Sequence, residues 1–301
     1  MSALAATGRA APPPVPQPRS QRRRSLLPYL LLFPGLAWLA VFFVVPMIVL
    51  GSQSLQEGSI EQGYTLTWHW PTYTDALATY WPQFLRAFGY AALATVFALL
   101  ISYPLAYTIA FKSGRWRNVW LVLVIAPFFT SFLIRTIAWK TILADNGIVA
   151  DVLGGLGLLT WTGDRLLSTA PAVVAGLTYN FLPFMTLPIF AALDRMDPRQ
   201  VEAANDLYAP PFTAFRKVTL PLSMPGVVAG TLLTFIPAAG DYINQRLLGS
   251  SKNNVVGSVI DTVFIKVGDY AIAAALSFVL MISIVTMVMV YVRRAGTEEL
   301  V

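Results

Sequence analysis

Apolar residues run in six long blocks along the 301-residue chain, separated by polar stretches. The blocks cover about 26–50, 84–111, 119–143, 170–193, 221–243 and 270–292. Each exceeds the roughly 20 residues that a hydrocarbon core of about 30 Å requires at 1.5 Å per residue. The pattern predicts an all-α polytopic membrane protein with six transmembrane helices. Arg22, Arg23 and Arg24 precede the first block as in a signal peptide. That block is too long for a signal h-region and lacks a small-residue cleavage pattern, so a retained helix is expected. Prolines interrupt the blocks at Pro34, Pro46, Pro104, Pro127, Pro183, Pro188, Pro225 and Pro237. Each removes a helical hydrogen bond that lipid cannot replace, so these helices should pack on protein or line a wet path.

The linkers orient the bundle. Arg9, Arg19 and the arginine triplet, then Lys112, Arg115 and Arg117, then Arg195, Arg199, Arg216 and Lys217, then Arg293 and Arg294 all fall on one side. By the positive-inside rule that side is the cytoplasm, and both termini lie there. Residues 1–25, rich in alanine, proline and arginine, read as a disordered cytoplasmic tail, leaving 26–301 as one six-helix domain.

Composition narrows the chemistry. Charged residues make up 12% of the chain, about half the usual share in soluble proteins. The net charge of +6 follows from the cytoplasmic arginines and lysines, so no nucleic-acid partner is expected. There are no cysteines and one histidine, His69, which excludes thiolate nucleophiles and multi-histidine or cysteine metal sites. His69 sits in "TLTWHWP", an interfacial aromatic cluster. No phosphate-binding G-x-x-x-x-G-K-[ST] loop occurs, and "VLGGLGLL" reads as a flexible turn. No catalytic residue is expected.

The polar interval 194–220 is built for docking. Asp197 can cap a helix, Pro198 suits its first position, and Gln200 completes a capping box. Val201, Ala204 and Tyr208 then fall on one face, with Glu202 and Asp206 on another. Pro210 and Pro211 end this helix, and "PFTAFRKVTL" predicts a second with Phe212, Phe215 and Val218 as its apolar stripe. Two short helices at an angle are expected to present small and aromatic residues.

"EAANDLYAPPFTAFRKVTLPLSMPG" (202–226) resembles the EAA loop of binding-protein-dependent ABC importer permeases. Glu202, Ala203, Ala204, Ala209, Phe215, Val218, Leu220, Pro221, Pro225 and Gly226 fall in register with E-A-A-x-x-x-G-A, F-x-x-V-x-L-P and P-G. The chain departs from that pattern at Tyr208, where the family usually has glycine, and at Pro210, where it usually has serine or threonine. "RWRNVWLVLVIAPFFTSFLIRTIAWKTIL", "LTYNFLPFMTLPIFAALDRMDP" and "TFIPAAGDYINQRLLG" are similar to the first permease subunit of spermidine/putrescine-type importers. The resemblance implies a type I ABC importer permease in the bacterial inner membrane. Its partners would be two ATP-binding subunits, a second, related but distinct permease and an external solute-binding protein. ATP and magnesium would be bound by the ATPase partners, with no cofactor in this chain. It implies a polyamine solute, with an opine or amino-acid-like solute as the alternative. Glu202, Ala203, Ala204, Asp206, Tyr208, Phe212 and Phe215 would form the ATPase-coupling surface.

Polar residues in or near the apolar blocks mark a candidate pathway. Arg135 is a cation inside the third block, and Tyr179, Asn180 and Phe184 lie mid-block in the fourth. Asp241 and Tyr242 follow Pro237–Gly240 and are read as a gate near the outer leaflet. Aromatic rings with scattered carboxylates suit an ammonium solute. A secondary carrier would show inverted repeats, which are not seen, and would leave the docking segment without a role.

Overall fold

A computed structural model describes residues 27–59, 61–155 and 165–295. The expected tail lies outside the described residues. The chain divides between Ile48 and Val49 into two units, which are taken in turn.

The first unit carries the first span as far as Ile48. Helix α1 (Leu27–Leu39) passes through a π turn at Ala40–Val44 into α2 (Val45–Gln53). Pro46 explains the π turn. It offers no N–H to the carbonyl of Phe42, and its ring clashes there, so the helical ladder widens by one residue.

The second unit holds the remaining elements. Strands β1 (Gln56–Ser59) and β2 (Gly63–Leu66) pair antiparallel, with Gln56 opposite Leu66. His69 bonds both this hairpin and the next helix: its Nε2 lies 3.1 Å from Glu57 and its Nδ1 3.0 Å from Thr72. Trp68 and Trp70 beside it are exposed, as an interfacial cluster requires.

Helix α3 (Pro71–Phe111) has 41 residues, about 61 Å at 1.5 Å per residue, and starts well before the expected Phe84. Pro71 opens the helix, and Pro82, just before the apolar block, is carried inside it without a break. Its buried face is made of small residues, including Ala87, Ala91, Ala94 and Ala98 at helical spacing, which let neighbouring helices come close.

The third block is not a straight helix. Helix α4 (Arg117–Ile125) runs into a 3₁₀ turn at Ala126–Phe129, Thr130 is extended, and α5 (Phe132–Ile142) leaves at 95°. Pro127 disrupts the ladder, and the extended Thr130 ends it. Among the described residues, five helices are long and apolar enough to cross a membrane, or six if the bent pair counts as one span. Helix α6 (Ile148–Gly155) takes in the first half of "VLGGLGLL", so that half is helix rather than turn. Residues 156–159 lie outside the described set.

Helix α7 (Ala170–Asp194) is capped by Thr169, whose hydroxyl accepts from Ala172 N at 3.3 Å. It packs between α3 and α10 (Leu220–Gly240). Gly226 and Gly230, one turn apart on α10, make the second contact possible. A Cβ on Gly226 would lie 2.5 Å from Pro188 O, and one on Gly230 would lie 2.9 Å from Met185 Sδ. This is a GxxxG contact between spans. The fifth span ends at Gly240 rather than Ile243. Short helices α11 (Ile243–Leu248) and α12 (Val256–Thr262) follow, before α13 (Tyr270–Ala295).

Candidate translocation pathway and coupling segment

Arg117 of α4 pairs with Asp194 at one end of α7 and lies over the Phe190 ring at 4.9 Å. Depth along α7 can be counted from that end. Asn180 is fourteen residues away, about 21 Å.

At that level a polar chain ties three elements together. Asn180 is 1% exposed and donates from Nδ2 to Thr136 Oγ1 on α5 (3.2 Å) and to Asn244 Oδ1 on α11 (3.1 Å). The Asn244 backbone N–H and Nδ2 both donate to Asp241 Oδ1, at 2.8 and 3.2 Å. From Asn180 through Asn244 the donors point toward the carboxylate, so those bonds reinforce one another, while the bond to Thr136 branches away from it. Asp241 sits where the first turn of α11 needs a side-chain acceptor, and it caps that helix. Asn180 Oδ1 is buried without a donor among the described residues, and Asp241 Oδ2 accepts no hydrogen bond there. Gly176 of α7 lets α11 settle, because a Cβ there would run into Leu248 and lie 2.8 Å from Asn244 Oδ1.

Arg135 and Phe184 lie beside this chain. The Arg135 guanidinium is 5.3 Å from the centre of the Phe128 ring, and Phe128 meets Phe184 edge-on at 4.9 Å. The structure thus joins Asn180 to Asp241 through Asn244, and Arg135 to Phe184 through the Phe128 ring. Tyr179 and Tyr242 are elsewhere. Tyr179 packs edge-on against Trp139 (5.4 Å) in an apolar cleft of about 400 Å³ with Phe97, Ile101 and Val174. It is adjacent to Asn180 in sequence and so turned about 100° around the helix. Tyr242 lines a separate hollow with Gly257, Ile260 and Phe264, and does not share the Asp241 site. Thr136 and Asn244 are members that the sequence reading missed. "DYIN" did carry a signal, since Asp followed three residues later by Asn is how a short helix is capped.

The coupling segment differs from the expected pair of short helices. Asp197 Oδ1 accepts from Arg199 N at 3.0 Å and caps α8 (Pro198–Asp206). Ala204 is buried, while Glu202, Ala203 and Asp206 are exposed. Tyr208 does not continue the Val201–Ala204 face: it is 96% exposed, with φ +55°. Ala209 N–H reaches back to Ala204 O at 3.1 Å, and Leu207 N–H bonds Ala203 O at 3.3 Å. A left-handed residue closed by a bond five residues back is a Schellman-type helix end, normally made by glycine. Tyrosine adopts the same turn here.

The second helix is not separate either. Helix α9 (Pro211–Ala214) continues through a π turn, Phe215–Thr219, into α10, giving one helical run from Pro211 to Gly240. Pro221 follows this π turn by two residues, as Pro46 follows the first. The wider turn also breaks the predicted stripe. Phe215 packs edge-on against Tyr103 (5.6 Å) and Tyr107 (6.3 Å) of α3, whereas Phe212 is 72% exposed.

The class is now defined: a multi-pass helical bundle with a capped polar segment between its fourth and fifth spans. The model of the binding-protein-dependent transport system inner membrane component family matches residues 102–295. The spermidine/putrescine transport system permease protein PotB of Haemophilus influenzae is 35% identical over 260 residues, 85% of this chain and 90% of the relative. PotB of Escherichia coli K12 is 34% identical over 261 residues, 85% and 93% respectively. Among solved structures, a bacterial ABC transporter importing the acidic polysaccharide alginate has a matching chain with TM-score 0.65 and 21% identity. The match covers 91% of this chain and 96% of that one. The alginate transporter in complex with its pentasaccharide-bound periplasmic protein matches at TM-score 0.67 and 20% identity, covering 92% and 96%. The chain belongs to the binding-protein-dependent transport system inner membrane component family, and is a multi-pass inner-membrane permease subunit of an ABC importer.

Proposed function

We propose that this permease passes a polyamine of the spermidine/putrescine class, handed to it by an external binding protein. The observation that carries the solute class is the 34–35% identity to spermidine/putrescine permeases over 85% of the chain. The site is compatible with it. Asn180 Oδ1 and Asp241 Oδ2 are acceptors without donors, and Phe184 supplies a ring face, a set that suits ammonium groups. Two separate ATPase subunits bind ATP and magnesium and dock on 194–220, where Tyr208 and Phe212 stand clear of the chain. A second, related permease completes the central path. Both termini and the docking segment face the cytoplasm, in line with the distribution of arginine and lysine.

The test is uptake of radiolabelled spermidine and putrescine by an uptake-deficient bacterium expressing this chain with its operon partners. Saturable, ATP-dependent uptake competed by unlabelled polyamine is expected. Uptake of a carboxylate-bearing solute in its place would overturn the solute class and favour the opine or amino-acid-like alternative, for which the intramembrane Arg135 is the motivating residue.

A further inference from the structure

Arg135 has no counter-ion among the described residues. Its Nε and Nη1 are enclosed without an acceptor, and no carboxylate among the described residues reaches ion-pair distance. The rings of Phe128 (5.3 Å) and Phe132 (5.7 Å) cover the guanidinium and partly compensate its charge. An isolated arginine at this depth is costly and is retained where a partner meets it.

The rings also fix where that partner must come from. Phe128 packs on Phe184, which is ten residues from Asp194 along α7, about 15 Å and half of a core of about 30 Å. The guanidinium is therefore held toward the midplane, away from the phosphates of either leaflet. Nη2 is the one guanidinium nitrogen not enclosed, so a contact from outside this chain arrives there. The surrounding bend is uncovered by this chain: Phe129 is 88% exposed and Ile134 59%. A solute carboxylate would meet Arg135 only in transit, leaving the charge uncompensated for the rest of the cycle.

We propose that Arg135 binds a carboxylate of the second permease subunit, forming an inter-subunit ion pair near the membrane midplane. The inference rests on the two-permease reading above, and the experiment separates the two. The complete importer is purified by a tag on this chain and its composition read by mass spectrometry. A parent complex lacking a second, distinct permease would overturn that reading and this proposal together. With both permeases present, Arg135→Met is expected to lower recovery of the pair and solute uptake about tenfold or more, and Arg135→Lys about threefold or less. The amount of this chain in the membrane, by immunoblot, should hold in both variants. Arg135→Glu should abolish uptake, and changing one intramembrane Asp or Glu of the second permease to Arg should restore it. Three results would overturn the ion pair while leaving the importer reading intact: parent-like assembly and uptake in Arg135→Met; failure of every such acid-to-Arg change to rescue Arg135→Glu; or an intact permease pair in Arg135→Met that has lost a bound anionic phospholipid by native mass spectrometry.

Discussion

Replacing Tyr208 with glycine separates what the backbone needs from what the side chain contributes. The residue holds φ +55°, and the left-handed conformation costs an L-residue about 1–2 kcal/mol. Glycine avoids that cost but loses about 0.5–1 kcal/mol in backbone entropy on ordering. At 96% exposure the tyrosine ring gives up no packing within this chain. The balance favours glycine by roughly 0.5–1 kcal/mol, a factor of about two to five in closure of the turn. The amides that report it are those of Leu207 and Ala209, bonded to Ala203 O and Ala204 O. Their hydrogen exchange in the purified permease should slow by about that factor in Tyr208→Gly. The assembled importer should respond in the opposite sense. If the ring anchors the ATPase, truncating it costs about 2 kcal/mol or more, about thirtyfold in affinity. Faster exchange at Leu207 and Ala209 would refute the strain argument, and unchanged ATPase affinity would make the position merely permissive.

Ala204→Asp places a charge on the buried face of α8. Membrane insertion should persist while ATPase association or coupling is lost; uptake at parent level with normal coupling would count against the docking role. Gly226→Ala should lower the melting temperature of the complex more than Gly230→Ala, because the first Cβ meets the Pro188 carbonyl at 2.5 Å, whereas the second meets a flexible methionine sulfur at 2.9 Å and the Met185 carbonyl only at 3.0 Å. The reverse order would contradict the close α7–α10 contact. Asp241→Asn keeps an oxygen to cap α11 but removes the charge, so the permease should fold while its apparent KM for polyamine rises or uptake stops. Asp241→Ala should also lose about 1 kcal/mol of capping stability. Parent-like transport by the Asn variant, with less folded protein in the Ala variant, would make Asp241 a purely structural acceptor.

What the sequence made legible was whatever repeats over many residues or is written in one capping residue. The apolar blocks mark the spans because hydrocarbon thickness sets their length, and Asp197 announces α8 because an exposed helix start needs an acceptor. The bend at Thr130 was not legible in the same way. Pro127 alone permits either a kink or a break, and only the packing of Phe132 against Phe181 decides which. Asp241 was found as a lone acid, but its role as a cap depends on a short helix too brief to leave a periodic pattern. Tyr179 and Asn180 looked equivalent in "LTYNFL", yet a rotation of about 100° per residue sends one to an apolar cleft and the other into the polar chain. The Gly226–Gly230 contact was open to reading, since GxxxG in an apolar block is itself a packing signal.

The continuous run from Pro211 to Gly240 changes what a stroke at the docking segment can do. Two short helices joined by loops would absorb a push in their hinges. A run of 30 residues, about 45 Å, has no loop along it to absorb the push, and only the gaps that Pro225 and Pro237 leave in its hydrogen-bond ladder can give. The far end is Gly240, and the next residue is Asp241, which caps α11 and anchors the polar chain to Asn180. The compliant point is then the Leu207–Pro210 turn between α8 and α9, where Tyr208 holds a strained backbone. At the π turn Phe215 bears on Tyr103 and Tyr107 of α3, the contact that would serve as a fulcrum for such a stroke. If residues 197–220 receive the ATPase stroke, the same helix that receives it ends at the polar site, and displacement of α10 strains the Asp241–Asn244–Asn180 bonds directly. Those bonds are few, buried and mutually reinforcing, so they should open as a unit rather than stretch by degrees.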